Sequence, residues 1–397
     1  MSPSKRPANG KGPEPAPAPR DHSAPIVIGG QAVHLGETRD INIPFSENYL
    51  GGSVSFPVRV IRAAEPGPAI FFTGAVHGDE LTGVGIIREF LFSELPPLVR
   101  GSVICAPAVN TFGLETQSRY LPDRKDLNRC FPGAADGSMS SRLAFEITRQ
   151  IIQNSDYGLD FHSAAVRRVN YPNVRADLTD PRARALAEAF GCELIVSSKG
   201  PEGSLRRTAC EAGVPTIILE AGEVWKIEPG VVQIGIRGCV NVLRSLGMVE
   251  GERLEPIFRA TIEKTTWVRA SRGGFLGFHS NPGDLIRKGQ PLATNYSIFG
   301  RERSDLVAPE NGLILGMATM PAVKPGEPVY HLAILDDDEY RRIRQAIASS
   351  PDHGLFQRLR DDFSTNVHNP SADYNEVISA APEPEDPPSL ETQYGED

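Results

Sequence analysis

Residues 69–89 read AIFFTGAVHGDELTGVGIIRE. An apolar run of strand length, AIFFTGAV, meets a polar turn, HGDE, and passes into a stretch whose apolar residues recur at helical spacing. A continuous apolar strand followed by an amphipathic helix is the repeating unit of a parallel sheet buried on both faces. The alternation continues through SVICAPAV, YGLDF, CELIVSS and PTIILEAG, with SSRLAFEITRQIIQN, PRARALAEAF and VVQIGIRGCVNVLRSL as the intervening helical patterns. It predicts an α/β fold over residues 25–255: a mostly parallel sheet covered by helices on both faces, preceded by a few antiparallel strands in residues 25–64.

Past Arg253 the texture changes to short strands with Gly and Pro turns. Residues 256–335 are expected to form a small all-β, barrel-sandwich-like domain, and its two turns PGDLIRKGQ and KPGEPVYHL read as a duplicated hammerhead unit. The hairpin NYSIFGRERSD between them has no lysine to acylate, so a carrier role is excluded and a structural or gating one expected. Residues 336–370 read as a helical extension. Residues 371–397 and the Pro-rich residues 1–24 read as disordered, an acidic tail and a leader without the apolar core of a signal peptide.

The net charge of −9 is mostly that tail, which holds eight acids and no base; the remainder carries 42 acids against 41 bases. A nearly neutral body has no broad basic face for nucleic acid. No apolar run reaches bilayer-spanning length. Five scattered cysteines without a C-x-x-C pair fit reduced thiols, so a cytoplasmic location is expected.

In open α/β sheets, ligands gather at the carboxyl ends of the strands. AIFFTGAV ends in His77 and Glu80, YGLDF in His162 after Asp160, and PTIIL in Glu220. Alone, His-x-x-Glu reads as a polar turn before a helix. However, His77 and His162 are the only histidines in residues 65–255, and both follow strands. Two His and one Glu form a catalytic zinc set with a position left for water, so one zinc ion per chain is expected.

The loop SRYLPDRKDLNRCFPG (118–133) holds Arg119, Arg124, Lys125, Asn128 and Arg129. Beside a metal, one arginine fork can pair with a carboxylate and another can hold a developing oxyanion, which implies a small anionic substrate. Glu220 or the nearby Glu223 fits a general base, with Glu220 preferred as the nearer to its strand.

The order HGDE, DLNR, DFH and IILEAG resembles the succinylglutamate desuccinylase/aspartoacylase family of zinc-carboxypeptidase-like hydrolases, and GDLIRKGQ, VAPENGLILG and PGEPVYHLA resemble its C-terminal part. The resemblance implies a zinc-dependent deacylase acting on the amide, or an ester, of an N-acyl amino acid. His77, Glu80 and His162 would be the zinc ligands and Glu220 the base. Arg119, or Arg124 in its place, would polarise the carbonyl, while Asn128 and Arg129 would hold the substrate carboxylate. A further substrate arginine is expected at Arg207 or Arg206. Family members often associate, so a homo-oligomer is compatible. Two rival readings are a carboxypeptidase-type peptidase and an inactive metal- or metabolite-binding member.

Overall fold

The computed structural model describes residues 20–301, 303–349 and 359. Its centre is four parallel strands in the order Arg100–Ala106, Glu65–Gly74, Tyr157–His162 and Thr216–Glu223. Antiparallel strands flank them. Ser53–Arg62 and Thr38–Glu47 extend one side, and Arg168–Ala176 lies beside Thr216–Glu223 on the other.

Strand Glu65–Gly74 illustrates why both faces must be covered. Ala69 and Phe71 enter one apolar core, while Ile70 and Phe72 enter the other, as the two-residue repeat of a strand requires. Helices Thr82–Phe92, Pro181–Phe190 and Pro229–Ser245 close the face of Ile70 and Phe72. Helices Met139–Gln150 and Leu205–Glu211 close the other. Local signals fix their ends. In Pro181–Phe190, the Asp180 side chain accepts from Arg182 N at 2.8 Å, Pro181 opens the helix, and Gly191 stops it at φ +80°.

The α/β expectation with helices on both faces is borne out, with the parallel strands at the centre of a mixed sheet. One strand, Arg168–Ala176 (RVNYPNVRA), is absent from the sequence reading. Its arginines, asparagines and central Pro172 hide it, because its polar side chains face a cavity and Pro172 falls at a break in register between Glu220 and Gly222 on the neighbouring strand.

The C-terminal strands join this sheet directly. Gly312–Ala318 pairs antiparallel with Arg168–Ala176, and Pro328–Ile334 and Thr265–Arg269 follow outward. A separate four-stranded sheet runs Arg303–Val307, Pro291–Tyr296, Gly274–Phe278, Ala322–Val323. Helix Asp337–Ser349 begins the expected extension. The rest of that extension apart from Leu359, the tail 371–397 and residues 1–19 of the leader lie outside the described residues. Among the described residues, no helix is long and apolar enough to cross a membrane.

Candidate metal centre

The carboxyl ends of the parallel strands bring three buried side chains together. Glu65–Gly74 delivers the turn with His77 and Glu80, and Tyr157–His162 ends on His162. Each of the three offers a ligand atom within 4.8 Å of the others. The turn is tight because Gly78 lies against the backbone of Gly113. A Cβ at Gly78 would come 1.8 Å from that residue's carbonyl carbon.

Glu80 is the hub. Its Oε1 lies 2.6 Å from His77 Nδ1, and its Oε2 lies 2.8 Å from His162 Nδ1 and accepts from Ser163 N at 3.1 Å. The outer ring nitrogens face carboxylates: His77 Nε2 is 3.1 Å from Asp126 Oδ1, and His162 Nε2 is 2.9 Å from Asp160 Oδ2. Thr73 Oγ1 donates to the other Asp160 oxygen at 2.8 Å. An imidazole whose outer N–H is held by a carboxylate has its other nitrogen fixed as the metal-facing donor. The donor set therefore fits a divalent ion of the zinc type, with Nδ1 of both rings as ligand atoms.

Electrostatics agree with a cation-seeking cluster. Burial opposes charge on Glu80, but His77 and His162 outweigh it and hold the carboxyl far below its usual range. Burial likewise opposes charge on both histidines. Glu80 with Asp126 at His77, and Asp160 with Glu80 at His162, reverse that and raise both rings.

These residues line a cavity of about 350 Å³ that also contains Arg119, Asn128, Arg129, Arg206 and Glu220. Arg119 reaches Asp126 Oδ2 at 2.9 Å and Glu80 Oε1 at 3.4 Å. Asn128 is buried and accepts from Leu205 N at 2.9 Å. Glu220 points inward, its Oε2 accepting from Asn170 Nδ2 at 3.1 Å and its Oε1 lying 3.5 Å from Arg175 Nη1.

Other candidates are placed elsewhere. Arg124 is exposed at φ +60°. Glu223 accepts from Thr319 Oγ1 at 2.9 Å and pairs with Lys226. The Arg207 expectation is corrected. That side chain turns along its helix to Glu211, with Nε donating at 2.8 Å, whereas Arg206 is buried on the cavity side and donates to Ser198 O at 2.6 Å. On helix Leu205–Glu211, adjacent residues point about 100° apart, so only one of the two can face the site.

Several cavity residues were not singled out in the sequence. Asn170, Arg168 and Arg175 come from the overlooked strand, and Trp267 and His331 from the C-terminal strands. Trp267 stacks on His331 at 4.4 Å between centroids, and the Arg168 guanidinium lies 4.9 Å over Trp267. Burial first, then Arg175 and Arg168, push the His331 ring down to about 4. Five guanidinium groups thus line the cavity beside two carboxylates. A larger groove of about 670 Å³ runs over helices Thr82–Phe92 and Pro229–Ser245 but contains none of these residues, so volume does not mark the site.

Residues 66–246 match the Succinylglutamate desuccinylase/Aspartoacylase catalytic domain. The N-alpha-acetyl-L-2,4-diaminobutyric acid deacetylase of Halomonas elongata is 32% identical over 259 residues, 62% of this chain and 75% of that protein. The chain belongs to the succinylglutamate desuccinylase/aspartoacylase family. Among solved structures, a succinylglutamate desuccinylase/aspartoacylase from Rhodobacter sphaeroides is 28% identical with a TM-score of 0.67, covering 76% of this chain and 96% of that one. The product-bound ectoine utilization protein EutE (DoeB) from Ruegeria pomeroyi is 25% identical with a TM-score of 0.67, covering 75% and 95%. Membership in this family of deacylases makes the chain a hydrolase of the amide-deacylating class.

Proposed function

We propose that this protein is a zinc-dependent deacylase that hydrolyses the amide bond of a small N-acyl amino acid. The observation that carries the reading is the meeting, in one cavity of about 350 Å³, of the His77–Glu80–His162 set with Glu220 and several arginines. His77, Glu80 and His162 would hold the zinc, which supplies Lewis acidity and lowers the pKa of a water it binds.

The chain's own residues divide the remaining work. Glu220 accepts a proton from the attacking water and returns it to the leaving nitrogen. Arg119, anchored by Asp126 on one nitrogen, aims its other terminal nitrogen at the ligand cluster, where it can stabilise charge on the carbonyl oxygen. Asn128 and Arg129 bind the substrate carboxylate, with Arg206 as a further anion-binding group. Three of the five guanidiniums, Arg129, Arg168 and Arg206, have no carboxylate within ion-pair distance among the described residues, which suits an anionic ligand. The wall formed by Trp267 and His331 suits a small substrate better than the open groove a peptidase needs.

The test is hydrolysis by the zinc-loaded protein of a panel of N-acetyl- and N-succinyl-L-amino acids, with blocked dipeptides alongside. Release of free amino acid from N-acyl amino acids is expected. Cleavage of the dipeptides alone would replace this reading with a peptidase.

A further inference from the structure

Glu220 is held at both oxygens by the strand that runs antiparallel to its own. Oε1 faces Arg175, and Oε2 accepts from the Asn170 amide at 3.1 Å. An ionised carboxylate only accepts hydrogen bonds, so the amide nitrogen of Asn170 must face it and the amide oxygen must face away.

What lies behind that oxygen is unusual. Asn170 is the register partner of Gly316 on the C-terminal strand Gly312–Ala318. A Cβ at Gly316 would come 2.5 Å from Asn170 Oδ1 and 2.7 Å from the Val169 carbonyl oxygen. The second of these is backbone, so the clash cannot be relieved by a side-chain rotation alone. Asn173, on the same strand as Asn170, ties the main chain by donating to Glu220 O at 3.3 Å. Gly316 is not among the residues lining the cavity.

We propose that Asn170 is a positioning residue for the Glu220 carboxylate, and that Gly316 keeps Asn170 in place by leaving room behind its amide. The C-terminal β region would then act on the proton-transfer group from outside the cavity. The inference rests on the reading of Glu220 as the general base.

The experiment uses the full-length, zinc-loaded protein with N-α-acetyl-L-2,4-diaminobutyrate and N-acetyl-L-glutamate as probes. Asn170→Asp keeps the shape of the side chain but replaces the donor with an acceptor that repels Glu220, whereas Asn170→Ala removes the donor without adding charge. A fall in kcat of about 10- to 100-fold, the range expected for one charge-assisted hydrogen bond, is expected in Asn170→Asp and Asn170→Ala with KM little changed. Gly316→Ala should lower kcat in the same way. Asn170→Ala combined with Gly316→Ala should be no slower than Asn170→Ala alone, because both act through one contact. Zinc content should stay at the wild-type value in all of them, as should the melting temperature of Asn170→Ala, whereas Gly316→Ala should melt lower because its Cβ meets the Val169 carbonyl oxygen.

Wild-type kcat in Asn170→Asp, or multiplying losses in the double variant, would overturn the proposal. A crystal structure of zinc-loaded Asn170→Ala, which removes the donor without adding charge, decides it without turnover: Glu220 swung away supports it, and Glu220 unmoved overturns it. Should the wild type hydrolyse neither probe nor any N-acyl amino acid, the deacylase reading falls, while the crystallographic comparison still decides the role of Asn170.

Discussion

Glu220 and His162 are register partners on adjacent parallel strands. The spacing of paired strands, about 4.8 Å, therefore sets the distance between the backbone of the proposed base and that of a proposed metal ligand. A strand-borne pair is held more rigidly than one carried on loops, as proton transfer to a positioned group requires. The His77–Glu80 turn, the other half of the cluster, is fixed instead by close packing at Gly78.

Replacing Glu220 with Gln should separate metal binding from chemistry. Zinc content should remain at the wild-type level, and kcat should drop by about 100- to 10,000-fold, the usual contribution of a positioned acid or base. Steady-state kinetics paired with metal analysis checks this. Near-normal turnover would remove Glu220 from the mechanism.

Asp160 touches no candidate ligand atom directly but holds the outer nitrogen of His162. Asp160→Asn should weaken zinc affinity by about 10- to 100-fold, as loss of a carboxylate behind a ligating imidazole commonly does. Competition against a chromogenic chelator measures it.

The two neighbouring arginines should behave differently. Arg206→Met should raise KM several-fold, because the buried guanidinium faces the cavity with its Nε unpartnered. Arg207→Met removes only an exposed pairing with Glu211 and should leave kcat and KM at wild-type values.

His331 gives a pH dependence of stability with a definite sign. Burial, with Arg175 and Arg168 beside it, pushes its ring down to about 4 in the folded protein, against an ordinary 6.5. Between those values the unfolded chain binds the extra proton, so stability should fall as pH drops from about 6.5 to about 4 and stay level from this source above that window. The full effect is about 3 kcal/mol, and smaller to the extent that the partly exposed ring still sees water. Denaturant melts of wild type and His331→Phe across that range test it; the variant should show the shallower slope.

The α/β centre was legible because its strands are apolar throughout and its helices carry strong end signals such as Asp180, Pro181 and Gly191. The candidate ligands were legible because His77, Glu80 and His162 each follow such a strand. Strand Arg168–Ala176 was not. It is buried on a polar cavity, so Arg168, Asn170 and Arg175 face inward where apolar residues would ordinarily mark a strand. Pro172 adds a break in register that disguises the two-residue repeat further. Trp267 and His331 meet the site only through sheet pairing across more than a hundred residues, which no local pattern encodes. The choice between Arg206 and Arg207 depended on the rotation of one short helix.

If His77, Glu80 and His162 hold zinc, the metal content of freshly purified wild-type protein beside His77→Ala shows it most directly. About one zinc per chain in the wild type, lost in the variant, is the expected result. Wild-type protein that carries no zinc and takes up none when it is supplied would contradict it.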